Sequence, residues 1–319
     1  AEEGLRALAS KASSLLSPNE AESGAVFDDR GRVESVGGLP IVAEISVYRA
    51  PTDNDRGRGP VDYWGISSAD LGPLGTGTGQ WGVSHAQRWE MARLHLLRRT
   101  WHGSSCEHGM RVLIERWAPP AAQFGLEARW TFTPLDGKIE GTPAAAAIPG
   151  SRLLVKVEMT PYGQWPERIP RAGVRLCIPG TEWTASWVGE TDIAYSDLPG
   201  ANPDGFGCAE LKDLWDVGVK PQEGGHRPGL KVLELRGEER ALMIIPRSEM
   251  GWSASPWSER ELAQAGHWED LSESNRTFVW LDAVQDGIGT RSCGPDARPE
   301  FGARMAARTM EFILCVTDL

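Results

Sequence analysis

Apolar and polar residues alternate along several stretches of this chain. Leu126, Ala128, Trp130 and Phe132 alternate with Glu127, Arg129, Thr131 and Thr133. Leu153, Val155, Val157 and Met159 bracket Lys156 and Glu158, and Val174, Leu176 and Ile178 alternate with Arg175 and Cys177. Met310, Phe312, Leu314 and Val316 close the chain in the same way. A period of two predicts antiparallel strands with one face buried and the other wetted or covered. Pro119-Pro120, Pro134-Leu135-Asp136-Gly137 and Pro179-Gly180 supply turns between them. Ala25 to Leu39 predicts a hairpin turning at Asp28-Asp29-Arg30-Gly31, and Ile41 to Tyr48 a further strand.

Helical signals are few. Residues 1–23 read as a short helix or frayed tail ending in a linker. Trp89, Ala92 and Leu96 predict one short helix within 84–97. Ser258 with Glu261 forms a capping box that starts another at Glu259, running to about Ala265. Glycine and proline predict loops at 57–82, which includes Trp64 and Trp81, and at 197–207; four consecutive alanines mark a loop insertion at 142–150. Composition never shifts between Ala25 and Leu319, and no repeat or strand–helix alternation is found. The expectation is a tail or linker over 1–24 and one large all-β domain over 25–319. Closed or doubly layered sheets would hide the edges of so many strands.

The 319 residues are 40% hydrophobic, enough for a sizeable core. A net charge of −11 argues against a nucleic-acid partner, and no apolar run approaches the ~20 residues that span a membrane. Five widely spaced cysteines without a CxxC make neither a disulfide framework nor a zinc site, so a reducing, cytoplasmic setting is expected. The chain opens on Ala1, from which we expect a fragment or processed product. Fourteen tryptophans stand against four tyrosines. Tryptophan suits sugar stacking, but core or interface packing is the first expectation for each one.

The candidate chemistry centres on Arg49-Ala50-Pro51-Thr52-Asp53-Asn54-Asp55-Arg56-Gly57. Its plain reading is a self-bonded loop rich in Asx turns; its functional reading is a rigid loop presenting Asp53, Asn54 and Asp55 to sugar hydroxyls or a metal. Pro221-Gln222-Glu223-Gly224-Gly225-His226-Arg227 is a second polar loop, for which packing against a partner domain is the plain reading. Gly287-Ile288-Gly289-Thr290-Arg291-Ser292-Cys293-Gly294-Pro295 is a third; its glycines permit a tight projecting loop and its polar groups suit hydroxyls. Arg168 to Arg171 brackets Ile169-Pro170 and fits an edge strand with a fixed bend. Cys106-Glu107-His108 is the one dense cluster with a histidine, and it lacks a second ligand pair, so no metal site is expected.

The literal 49–57 string resembles a signature near the start of the C-terminal domain of family 2 β-galactosidases, a region also found as the small chain of two-chain enzymes. Phe27-Asp28 through Gly37-Gly38-Leu39-Pro40, Gln123-Phe124-Gly125-Leu126, Ile169-Pro170-Arg171-Ala172-Gly173, Pro221-Gln222-Glu223, Trp252 to Trp257, and Gly287-Ile288-Gly289 with Gly294-Pro295 resemble the same domain in the same order. The resemblance implies a broad antiparallel two-sheet supersandwich of the galactose-mutarotase kind with a few short helices. It implies a catalytic TIM-barrel domain or large chain as partner, a galactoside substrate, no cofactor in this chain, and oligomers of the full enzyme. It also implies that the 287–295 loop reaches the galactose pocket. Some members carry a Trp there; this chain has Cys293, in a loop about one residue shorter.

Retaining glycosidases use two carboxyl groups ~5 Å apart, and in this family both lie on the barrel. A barrel needs ~250 residues, for which this chain has no room. The chain is therefore expected to complete the pocket and brace the assembly, with no catalytic residue of its own. The expected substrate-side residues are Asp53, Asn54, Asp55, Gln222, Glu223, Arg291, Ser292 and Cys293. Two other classes stay open: a stand-alone aldose epimerase-like enzyme using Glu223 and His226, and a carbohydrate-binding module. Equilibration of galactose anomers by the chain alone would decide for the epimerase, and a neighbouring barrel-encoding segment for the first reading.

Overall fold

A computed structural model describes residues 2–15, 24–57, 83–107, 109–135 and 150–319. Trp64, Trp81, His108, residues 136–137 of the predicted turn, the 142–149 insertion and the linker residues 16–23 lie outside the described residues. The strands are β1 (Ala25–Phe27), β2 (Val33–Val36), β3 (Leu39–Pro40), β4 (Val42–Ser46), β5 (Arg98–Glu107), β6 (Met110–Ala118), β7 (Gly125–Pro134) and β8 (Ser151–Tyr162). They continue as β9 (Arg171–Pro179), β10 (Thr184–Glu190), β11 (Asp204–Glu210), β12 (Val232–Arg236), β13 (Arg240–Pro246), β14 (Gly251–Ser255), β15 (Arg276–Gln285) and β16 (Arg308–Asp318). Among the described residues four α-helices accompany them: α1 (Glu2–Leu15), α2 (Asp53–Arg56), α3 (His85–Met91) and α4 (Glu259–Gln264).

The strands form a nine-stranded sheet in the order β11-β10-β12-β13-β16-β8-β7-β6-β5 and a four-stranded sheet, β14-β15-β9-β4. A small three-stranded sheet, β1-β2-β3, adds to these two layers, and the strand pairs are antiparallel. One apolar core joins all three sheets. Trp130, Phe132, Val155, Val157 and Phe312 reach it from the large sheet, Val174, Leu176, Val279 and Leu281 from the smaller one, and Val36 and Leu39 from the third. These include the residues that the period-two pattern assigned to buried faces.

The outer faces are covered as well. Leu8 and Ala12 of α1 pack on Val232, Met243, Ile245, Ile313 and Cys315 of the large sheet, and Lys11 pairs with Glu234. Residues 2–15 are thus a docked helix, a cover for one sheet face. On the smaller sheet, Phe278 and Trp280 of β15 pack with Leu262 of α4, Trp215 and Ala50. Because β15 is covered on both faces, Phe278-Val279-Trp280-Leu281 is a continuous apolar run.

Two local expectations change. Residues 204–207, read as loop, open strand β11, paired with β10 along Glu190↔Asp204 to Trp187↔Gly207. Glycine and aspartate disguise the strand, yet Gly207 is required: a Cβ there would strike the indole of Trp187. The Arg168–Arg171 stretch leads into β9, an interior strand between β15 and β4. Pro170 stands one residue before that strand, where its missing N–H interrupts no ladder bond, and its carbonyl accepts from the Asp286 N–H. The capping boxes at Ser84 and Ser258 both form, and α4 matches its predicted span. Among the twelve described tryptophans, only Trp101 is strongly exposed.

Candidate functional site

The 49–57 stretch leaves β4 and turns at once into α2, a single helical turn. Thr52 caps it: its hydroxyl accepts from the Asp55 N–H, while the Asp55 carboxylate accepts from the Thr52 N–H at 2.9 Å. Arg49 is wholly buried and donates to both oxygens of Asp55, from Nη2 at 2.7 Å and Nε at 3.2 Å. Its remaining donors reach the carbonyls of Asp286 (2.7 Å) and Gly287 (3.3 Å), and its guanidinium lies over Trp89 and Tyr195. Burial opposes its charge, but Asp55 and Asp286 outweigh that, so its pKa stands above the ordinary arginine value. Arg49 and Asp55 therefore fasten the loop to its surroundings. Asp53 points away, 53% exposed, and pairs with Lys220 at 2.6 Å. The two aspartates do not form a carboxylate pair across a cleft.

A second buried arginine anchors the same place. Arg168 donates to Asp286 (2.5 Å), Asp296 (2.8 Å) and the Gly287 carbonyl (2.7 Å). Burial raises the Asp286 carboxyl to about 7 even with Arg168 and Arg49 beside it. Asp296 also meets His85 at 2.6 Å; burial holds the His85 pKa below the ordinary histidine value, and the Asp296 pKa is lowered by His85 and Arg168 against its own desolvation.

These anchors carry the 287–295 loop. Asp197 accepts from the N–H groups of Ile288 (3.1 Å) and Gly289 (2.7 Å). Asn54 spans α2 and the loop, donating to the Gly289 carbonyl at 2.8 Å and accepting from the Ser292 N–H at 3.1 Å and hydroxyl at 2.6 Å. Gly57 packs so closely on the Arg291 carbonyl and Ser292 nitrogen that a Cβ has no room. Thr290 closes the loop on itself, bonding the Pro295 carbonyl and accepting from the Cys293 and Gly294 N–H groups.

The structure thus sorts the candidates. Asp55, Glu223 and Arg291 are enclosed within the chain; Arg291 is wholly buried, with Asp296 4.0 Å from its Nη1. Asn54 and Gln222 are half-buried ties, Gln222 accepting from the Asp53 N–H at 2.9 Å. Asp53, Ser292 and Cys293 are exposed. Asn54 brings α2 and the 287–295 loop together, and Gln222 joins the 221–227 loop to them.

Glu223 and His226 lie in a different, buried cluster. Arg171 stands within 3.6 Å of Glu223 and 3.0 Å of Asp282, and Asp282 meets His226 at 3.1 Å. Tyr195 donates to Glu223 at 3.3 Å. Both Glu223 and His226 are 4% exposed. Sequence reasoning missed Asp197, Asp286, Asp296 and His85 as anchors. Only the dense arginines around Ile169-Pro170 hinted that buried acids must lie opposite them.

The family model described as "Beta galactosidase small chain" matches residues 20–314. A β-galactosidase of Arthrobacter sp. (strain B7) is 29% identical over 94% of this chain, and one of Kluyveromyces lactis is 22% identical over 85%. The chain spans only about a quarter of these relatives, 28% and 23% of their lengths. Among solved structures, a putative aldose 1-epimerase from Escherichia coli K12 aligns over 95% of this chain and 99% of its own, at TM-score 0.44 and 12% identity. The match over nearly the whole chain establishes that it belongs to the β-galactosidase small-chain family.

Proposed function

We propose that this chain is the non-catalytic module of a retaining β-galactosidase, and that it completes the galactoside pocket of a catalytic barrel with the exposed face of residues 290–295. One observation carries this reading. The 287–295 loop is fastened by Arg49, Arg168, Asn54 and Asp197, yet it leaves Ser292 and Cys293 on the surface. A loop held by buried ion pairs is preorganised, and preorganised polar groups bind without an ordering cost. The reading extends to assembly into oligomers and to a cytoplasmic setting, consistent with five unpaired cysteines; none of the described helices is long and apolar enough to cross a membrane.

No observation favours the epimerase alternative, because Glu223 and His226 are buried and engaged internally. The test is Cys293→Trp in the assembled enzyme. An added ring wall is worth ~0.5–1.5 kcal/mol beyond its area, so KM for simple galactosides should fall severalfold. Unchanged kinetics in a folded, docked variant would remove the loop from the pocket.

A further inference from the structure

Val219 is 96% exposed and Val217 65% exposed, on either side of Gly218. Such side chains at a loop tip are ordinarily unremarkable. Here the loop is braced: Trp268 donates its indole N–H to the Gly218 carbonyl at 2.8 Å, and Trp215 donates to the Gln222 carbonyl at 3.0 Å. It is also tied to the site, through Lys220 paired with Asp53 and Gln222 accepting from the Asp53 N–H. From Asp53 the hydrogen-bonded path runs through Asn54 to Gly289 and Ser292, and through Gly289 to Asp197, whose neighbour Leu198 is 58% exposed. Exposed apolar side chains therefore stand beside residues bonded, directly or through one neighbour, to the 287–295 loop.

We infer that Val217 and Val219, with Leu198, form an apolar docking surface for the catalytic portion of the parent β-galactosidase. This rests on the function proposed above. Three observations select that occupant over a second copy of the chain or an unrelated protein. The chain spans about a quarter of its relatives' length, so in them a much larger portion lies outside the matched region. The apolar side chains belong to the same hydrogen-bonded network as the loop proposed to meet the galactoside, which favours a partner that covers both. Their bracing preserves the spacing between anchor and loop, which sets the loop's position against the partner.

The experiment uses the catalytic portion of the same enzyme, expressed as a separate chain, and measures its affinity for this chain. Val219→Asp should weaken association at least about tenfold, the loss typical of an anchor residue. Val26→Asp, the same change at a 52% exposed valine of the small sheet, should leave association unchanged. Both variants should melt with the unmodified chain when isolated. Equal affinity of Val219→Asp and the unmodified chain would overturn the docking surface and leave the functional reading intact. Equal weakening by Val26→Asp would also overturn it. Failure of the unmodified chain to bind the catalytic portion would overturn both.

Discussion

At the scale of residues, Arg49 and Asp55 decide how the 49–57 string behaves. A two-point hydrogen-bonded ion pair, 0% and 1% exposed, costs much to break because the surviving charge stays buried. Asp55→Ala should therefore destabilise the isolated chain by about 3–5 kcal/mol, read by urea or thermal unfolding. Asp53→Ala loses only a half-exposed pair with Lys220 and should cost no more than about 1 kcal/mol. Equal, small losses for the two would contradict the assigned pairing. The string was legible as a self-bonded turn, from Pro51 and its short Asx side chains; the Thr52 cap was not. Which aspartate turns inward was not, because it depends on an arginine six residues away and on a loop more than 200 residues along the chain. Arg291 shows the same limit. Its fork suits hydroxyls, but in an aperiodic loop nothing in the sequence tells inward from outward, and it points at Asp296.

At the scale of elements, alternation identified the strands with one polar face, the helical spacing of Trp89, Ala92 and Leu96 pointed to α3, and a capping box identified α4. Alternation was silent on β15, whose both faces are covered, and on β11, whose glycines make room for Trp187. Two predictions belong here. Gly57 joins α2 to the 287–295 loop by close backbone approach, so Gly57→Ala must displace the Arg291 carbonyl. It should lower the melting temperature of the isolated chain and raise KM in the assembled enzyme; a variant unchanged in both would show that the contact is not needed. The second concerns α3, fixed through His85 to Asp296 and Arg168. Burial lowers the His85 pKa, and His95 is lowered for the same reason. The unfolded chain then takes up these protons first, so their contribution is intact above ~6.5 and is lost as the pH falls through that value toward the folded pKa. The Asp286 carboxyl, raised to about 7, acts in the opposite sense over the same range, so the histidine share is read as a difference between variants. Between pH 7.5 and 5.5 the melting temperature of His85→Gln should fall less, or rise more, than that of the unmodified chain; an identical pH profile would remove His85 as a cause.

At the scale of the molecule, the antiparallel sheets build one core and a rigid end at which three loops meet: 49–57, 221–227 and 287–295. Fold class and family were legible because periodicity and a run of ordered motifs extend over most of the chain. The joining of the loops was not, because it is made by single side chains, Asn54, Asp197 and Gln222, that carry no periodic signal. Among the described residues, Asp55 is bound to Arg49 and Glu223 is enclosed beside Arg171. The most direct measurement is hydrolysis of a nitrophenyl β-galactoside by this chain alone, by the catalytic portion alone, and by their mixture. The account predicts no turnover by this chain and a marked gain when the two are combined. Turnover by the isolated chain that survives repurification, or a mixture no more active than the catalytic portion alone, would contradict it.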